Sequence, residues 1–137
     1  MAITETPAAD TVQRHDLLTA ALGGGRVVDR VEIKRIELAP GQSTGPHRHP
    51  CPVVGHILSG SIRFQIEGRP AKTLRAGDAF FEPANLRIRS FDNSSPQEPA
   101  TFVAYYLLGA GEHEIIEMLA SRPAILRAQP FTSRRSG

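Results

Sequence analysis

Tryptophan is absent, cysteine occurs once, and no apolar stretch reaches the roughly 20 residues that a membrane-spanning helix needs. With Cys51 alone no internal disulfide can form, which fits a reducing compartment. A strong field of either sign is missing too: 16 basic against 14 acidic residues leave a net charge of +2. The basic residues are scattered rather than gathered beside aromatics, apart from the tail with Arg134 and Arg135, which reads as a frayed terminus. This gives no nucleic-acid face. The opening MAITETPAAD is polar and acidic, and the apolar patch Leu17 to Leu22 is too short for the core of a secretory leader. The expectation is a soluble, cytoplasmic protein without nucleic-acid or membrane partners.

The chain does have the means to fold. At 137 residues, with 40% hydrophobic and 22% charged side chains, it has the length and composition of one globular domain. Residues 1–25 read as an N-terminal arm broken by Gly23, Gly24 and Gly25, with at most a short helical turn at Asp16 to Leu22. Residues 26–121 read as the folded domain and 122–137 as a tail. Within the domain, short segments bounded by turn residues cover Val27 to Leu38, Val53 to Leu58, Ser61 to Glu67, Asp78 to Glu82, Leu86 to Phe91 and Thr101 to Leu108. Several short strands at close spacing predict an all-β sandwich or barrel. Ile62, Phe64 and Ile66 alternate with Arg63, Gln65 and Glu67, the period of a strand with one buried and one wet face.

Three details complete this outline. In the first strand Val31 and Ile33 lie on one parity and Ile36 and Leu38 on the other, which predicts a β-bulge near Lys34 and Arg35, with Lys34 reaching solvent from the bulge. The other option is that the Ile36 and Leu38 parity faces the interior and Lys34 points into the cavity as well. Thr101 to Leu108 is apolar on both faces, so the arm, the C-terminal segment or a second subunit should cover the outer one, and a homodimer is the commonest closed assembly. Ile115, Met118 and Leu119 recur at helical spacing, which predicts a short C-terminal helix over 112–119.

The stretch with most chemistry runs from Gly41 to Gly60. On an extended backbone residues i and i+2 project from one face, so His47 and His49 present two imidazoles side by side while Arg48 faces away. Two neutral imidazoles on one face suit a transition metal, although an isolated HxH pair is weak evidence.

The residues around the pair resemble the first motif of the cupin superfamily, G-x5-H-x-H-x3-E-x6-G, with Gly41, His47, His49 and Gly60 in place and Val53 where the glutamate belongs. The second cupin motif, G-x5-P-x-G-x2-H-x3-N, is recognisable from Gly77 to Asn93. There Gly77 and Pro83 match, Asn85 stands at the turn glycine and Ile88 at the histidine. The short spacer, residues 61–76, resembles that of compact bacterial members. The resemblance covers residues 26–108 and implies a double-stranded β-helix, or jelly-roll, barrel around a pocket for a small molecule. It also implies a divalent transition metal (Fe, Ni, Mn or Zn) held inside, here with only two of the family's four ligands.

A third ligand is therefore needed. Glu82 is the candidate, as metal ligand or general base: it ends the second-motif strand, and its Glu-Pro-Ala context resembles cupins of the acetylacetone-cleaving type. Turned inward, it would complete a two-histidine, one-carboxylate set. The alternative is that Glu82 pairs with an arginine such as Arg87, as carboxylates near arginines more often do. Cys51 could ligate a soft metal but more often such a residue is a small buried hydrophobe. His56, of opposite parity to Val53, should face outward, and His15 and His113 carry no assigned role. The functional expectation is a small-molecule-binding cupin, either a metal-dependent enzyme of oxygenase or isomerase type or a non-catalytic binder with a vestigial metal site.

Overall fold

The computed structural model describes residues 11–120, so the first ten residues of the arm, residue 121 and the whole of the tail lie outside the described residues. Among the described residues nine strands form two antiparallel sheets. The first sheet contains β1 (Arg30–Leu38), β8 (Ala100–Leu108), β3 (Val53–Ser59) and β6 (Ala79–Glu82) in that order. The second contains β5 (Lys72–Arg75), β4 (Ser61–Ile66), β7 (Ile88–Asn93), β2 (His47–Arg48) and β9 (Glu117–Met118). This is the expected all-β jelly roll, and no helix among the described residues is long and apolar enough to cross a membrane.

Alternation explains how the sheets close on each other. Ile62, Phe64 and Ile66 of β4 are buried, as are Phe102, Ala104, Tyr106 and Leu108 of β8. Four phenylalanines, Phe64, Phe80, Phe91 and Phe102, meet between the sheets with ring centroids 4.7–6.3 Å apart. They fill one part of the interior, and Phe80, Phe91 and Phe102 also line a cavity.

Two positions show why particular glycines stand where they do. A Cβ on Gly55 would come within 2.1 Å of the Val103 carbonyl oxygen and 2.5 Å of the Phe80 ring, so β3 passes where no side chain fits. Gly60, at φ 86°, makes the turn between β3 and β4 against the backbone of Pro99 and Ala100.

Three expectations need correction. β1 and β8 pair in continuous register from Arg30↔Leu108 to Leu38↔Ala100, so no bulge interrupts β1. The Ile36 and Leu38 parity faces inward, while Val31 and Ile33 are simply exposed on the outer face, because β1 is an edge strand whose outside nothing described here fully covers. Register shifts occur instead at Ile57/Ser59 and Gln65/Ile66. The helical turn at Asp16 to Leu22 is not formed. The helix expected over 112–119 is also absent: Glu117–Met118 pairs with β2, and Leu119 N–H donates to the Pro46 carbonyl at 2.9 Å. An eight-residue segment gains little from helical propensity alone. Here the unpaired edge of β2 supplies hydrogen bonds that outcompete it.

Candidate metal centre

The local backbone brings the three predicted polar residues together. β2 carries His47 and delivers His49 just beyond it, and β6 ends at Glu82 opposite Val53 of β3. Asn85 takes the left-handed conformation, φ 66°, that its place at the turn glycine requires, and its N–H donates to the His49 carbonyl at 2.7 Å. That bond ties the loop after β6 to the strand bearing the histidines.

His47, His49 and Glu82 are all buried, at 3–4% exposure. One potential ligand atom from each lies within 4.8 Å of the others. Glu82 Oε1 is 2.6 Å from His49 Nε2 and 3.8 Å from His47 Nε2. On the far side of each ring, His47 Nδ1 is 2.7 Å from the Gly45 carbonyl oxygen and His49 Nδ1 is 2.5 Å from that of Ile115. A carbonyl oxygen only accepts, so both Nδ1 atoms carry the hydrogen. In the neutral ring Nε2 then offers a lone pair. A neutral Nε2 lone pair and a carboxylate do not sit 2.6 Å apart unaided, so in this arrangement a proton joins them. A metal ion, which keeps each ligand atom about 2.0–2.2 Å from itself, would replace that proton with the two atoms a little farther apart.

The electrostatics agree. Burial alone would push the Glu82 carboxyl up, but its bonds to His47 and His49 and their charges hold it below the usual carboxylate range. Burial likewise works to lower His47, yet the hydrogen bond and charge of Glu82, with the Gly45 carbonyl, raise it above its ordinary value. The donor set therefore fits a divalent ion: two nitrogen ligands oriented by backbone acceptors and one anionic oxygen.

A cavity of about 130 Å³ opens beside these groups. Its wall is mostly apolar, with Ile36, Val53, Phe102 and Ile116 among the lining residues. Val53 and Ile88, at the positions where the cupin pattern has ligands, are fully buried, and Val53 adds to the apolar wall. Tyr106 also lines the cavity, with its ring centroid 5.7 Å from that of His49. Burial first, then the charges of Glu82, Cys51 and Glu32, push its phenol up to about 12.

The remaining candidates fall elsewhere. Arg87 pairs with Glu67 at 2.7 Å and donates to the Ala120 carbonyl, so the alternative partner for Glu82 is already engaged. Cys51 is buried and free, outside the ligand cluster, and burial pushes its thiol up. Lys34 reaches solvent, as expected, but from a regular strand, with Nζ 4.0 Å from Glu32. His56 faces outward beside Tyr105. The segment 115–119 was missed as part of the site: it supplies the Ile115 carbonyl to His49 and Ile116 to the cavity. Its one sequence signal, Ile116 breaking the helical period beside Ile115, is too slight to have revealed this.

Comparisons with known proteins agree with the geometry. The family model described as "Cupin domain" matches residues 34–106. Among curated proteins none matches the chain. Among solved structures the chain is similar to oxalate oxidase in complex with the substrate analogue glycolate, at 24% identity and a TM-score of 0.57, over 65% of this chain and 46% of that one. It is also similar to a cupin-like protein from Thermotoga maritima, at 20% identity and a TM-score of 0.57, over 76% and 75% of the two chains. The DMSP lyase DddQ from Ruegeria pomeroyi aligns at 20% identity and a TM-score of 0.52, over 64% and 42%. These likenesses show a shared fold. The chain spans less than half the length of the oxidase and lyase chains.

Proposed function

The chain belongs to the cupin domain family, and on that premise we propose that it binds a divalent transition metal through His47, His49 and Glu82 and acts on a small organic molecule in the adjoining cavity. The observation that carries this reading is the convergence of one ligand atom each from His47, His49 and Glu82 within 4.8 Å, with Nδ1 of both rings turned to backbone carbonyls. Two imidazole nitrogens and one carboxylate suit Fe, Mn, Ni or Zn, and three protein ligands leave positions for a reactant. When bound, such an ion supplies Lewis acidity or, as Fe(II), a place for O2 chemistry of the oxygenase type. The chain's own part is to orient the two rings, contribute the anionic ligand Glu82 and exclude water through the apolar wall. Structural neighbours named as an oxidase and a lyase are in keeping with an enzyme.

A second reading, a non-catalytic metabolite binder, is favoured by Val53 and Ile88, which leave the site two ligands short of the full cupin set. Metal content tests the shared premise. Untagged protein stripped with chelator, reloaded with each metal and dialysed should retain up to one equivalent, and His47→Ala and His49→Ala should each abolish retention. Stoichiometric metal surviving both substitutions would overturn the assignment. Turnover of small carboxylates or enols by the loaded protein, in air and without O2, separates enzyme from binder.

The same reading extends to assembly and location. A homodimer closing over Val31 and Ile33 on the outer face of edge strand β1 accounts for their exposure. Ile33→Lys should then halve the mass measured by sedimentation. A cytoplasmic location fits the single, unpaired cysteine.

A further inference from the structure

Tyr106 stands in the cavity wall with a polar group that nothing in the described chain uses. It lies on the inward parity of β8, between Val53 of β3 and Glu32 of β1. It is 5% exposed and shares the cavity with His47, His49 and Glu82. Its hydroxyl makes no hydrogen bond among the described residues. Nor is that hydroxyl sealed into apolar packing, because Arg26 Nε is the one fully enclosed side-chain polar atom left without a partner among the described residues. The hydroxyl is therefore open to the cavity with its donor free, which makes it available to a molecule bound there.

The chemistry of such a molecule follows from the surroundings. A phenol O–H is a donor and a metal ion takes lone pairs, so the molecule between them must present acceptor oxygens. A divalent ion with neutral imidazoles and the Glu82 carboxylate leaves one net positive charge in an apolar cavity, and a monoanion cancels it. The cavity of about 130 Å³ is close in size to the roughly 150 Å³ that accommodates benzene elsewhere, which gives room inside it for about six non-hydrogen atoms of a ligand.

We propose that Tyr106 anchors a small monocarboxylate in this cavity, its O–H donating to one carboxylate oxygen while the other meets the metal, with the ligand's alkyl part against Ile36, Phe102 and Ile116. The proposal rests on the metal reading given above. It makes Tyr106 a binding residue and restricts the substrate class to short, largely apolar carboxylates.

The test uses cobalt(II)-loaded protein and isobutyrate, with binding read from the visible d–d bands of the ion. Wild type and Tyr106→Phe should take up cobalt with equal stoichiometry and equal affinity within twofold, which also shows that the variant folds. Isobutyrate should bind the variant about tenfold more weakly, the effect of one hydrogen bond to a charged acceptor. Equal isobutyrate affinities in the two proteins overturn the role of Tyr106. Cobalt bands that do not respond to isobutyrate in either protein overturn the ligand class. Failure of wild type to bind cobalt removes the metal reading and this proposal together, a result distinct from the other two.

Discussion

Glu82→Gln separates the charge of the site from its shape. The side chain is buried and its carboxylate is the only anionic member of the cluster, 2.6 Å from His49 Nε2 and 3.8 Å from His47 Nε2. Glutamine keeps the volume and removes the charge. A metal present at 100 times its dissociation constant stabilises the wild-type fold by about 2.7 kcal/mol. In a domain of this size one kcal/mol moves the melting midpoint by about 4 °C, so the metal should raise Tm by roughly 10 °C. Loss of the one anionic ligand should weaken affinity about 100-fold, the upper end of what even indirect disturbance of a metal site produces. At the same metal concentration the variant is then near half-saturation. Its stabilisation falls to about 0.4 kcal/mol and its shift to about 2 °C. Scanning calorimetry of both proteins, stripped and with Ni or Zn, measures the two shifts. A variant that keeps the full metal-induced shift would refute the assignment of Glu82 as a ligand.

Other substitutions probe the frame that holds the site. Gly55→Ala forces a Cβ to within 2.1 Å of a backbone oxygen, and overpacking of this kind should cost about 1–3 kcal/mol or more, read as a lower denaturation midpoint at unchanged slope. Asn93→Ala removes a buried amide that donates to the carbonyls of Glu98 at 2.7 Å and Ala39 at 3.1 Å and accepts from Ser95 N–H at 2.9 Å. Denaturant titration should show a loss of about 2–3 kcal/mol, because three hydrogen bonds that tie β7 to the neighbouring loops are lost together. Cys51 has no exposed surface and its thiol is pushed up by burial, so the native protein should resist thiol reagents at pH 8. In denaturant one equivalent should react; fast labelling of native protein would contradict the packing described.

The strands that carry an alternating pattern were legible in the sequence: β4 and β8 fall within a residue of their expected bounds, and the inward parity of Ile36 and Leu38 was foreseen as one of two options. β5 was not foreseen, because Lys72 to Arg75 contains one buried apolar residue, Leu74, and no alternation can be read from one residue. The bulge in β1 was inferred on the premise that every large apolar residue points inward. Edge strands need not obey it, and Val31 and Ile33 do not.

The sequence by itself determined the fold class, the pairing of His47 with His49 on one face, and the left-handed turn at Asn85. The all-β class and the histidine pair depend on local geometry, strand period and residue spacing, while the jelly roll and the turn at Asn85 came through the resemblance to the cupin motifs. Only the tertiary structure decided between Arg87 and the histidines as partners of Glu82, turned 112–119 from a helix into an extended segment whose Glu117–Met118 pairs with β2, and placed Tyr106 in the cavity. Those outcomes depend on which edges are left unpaired and which residues distant in sequence come within a few ångströms. No periodicity in the chain encodes that.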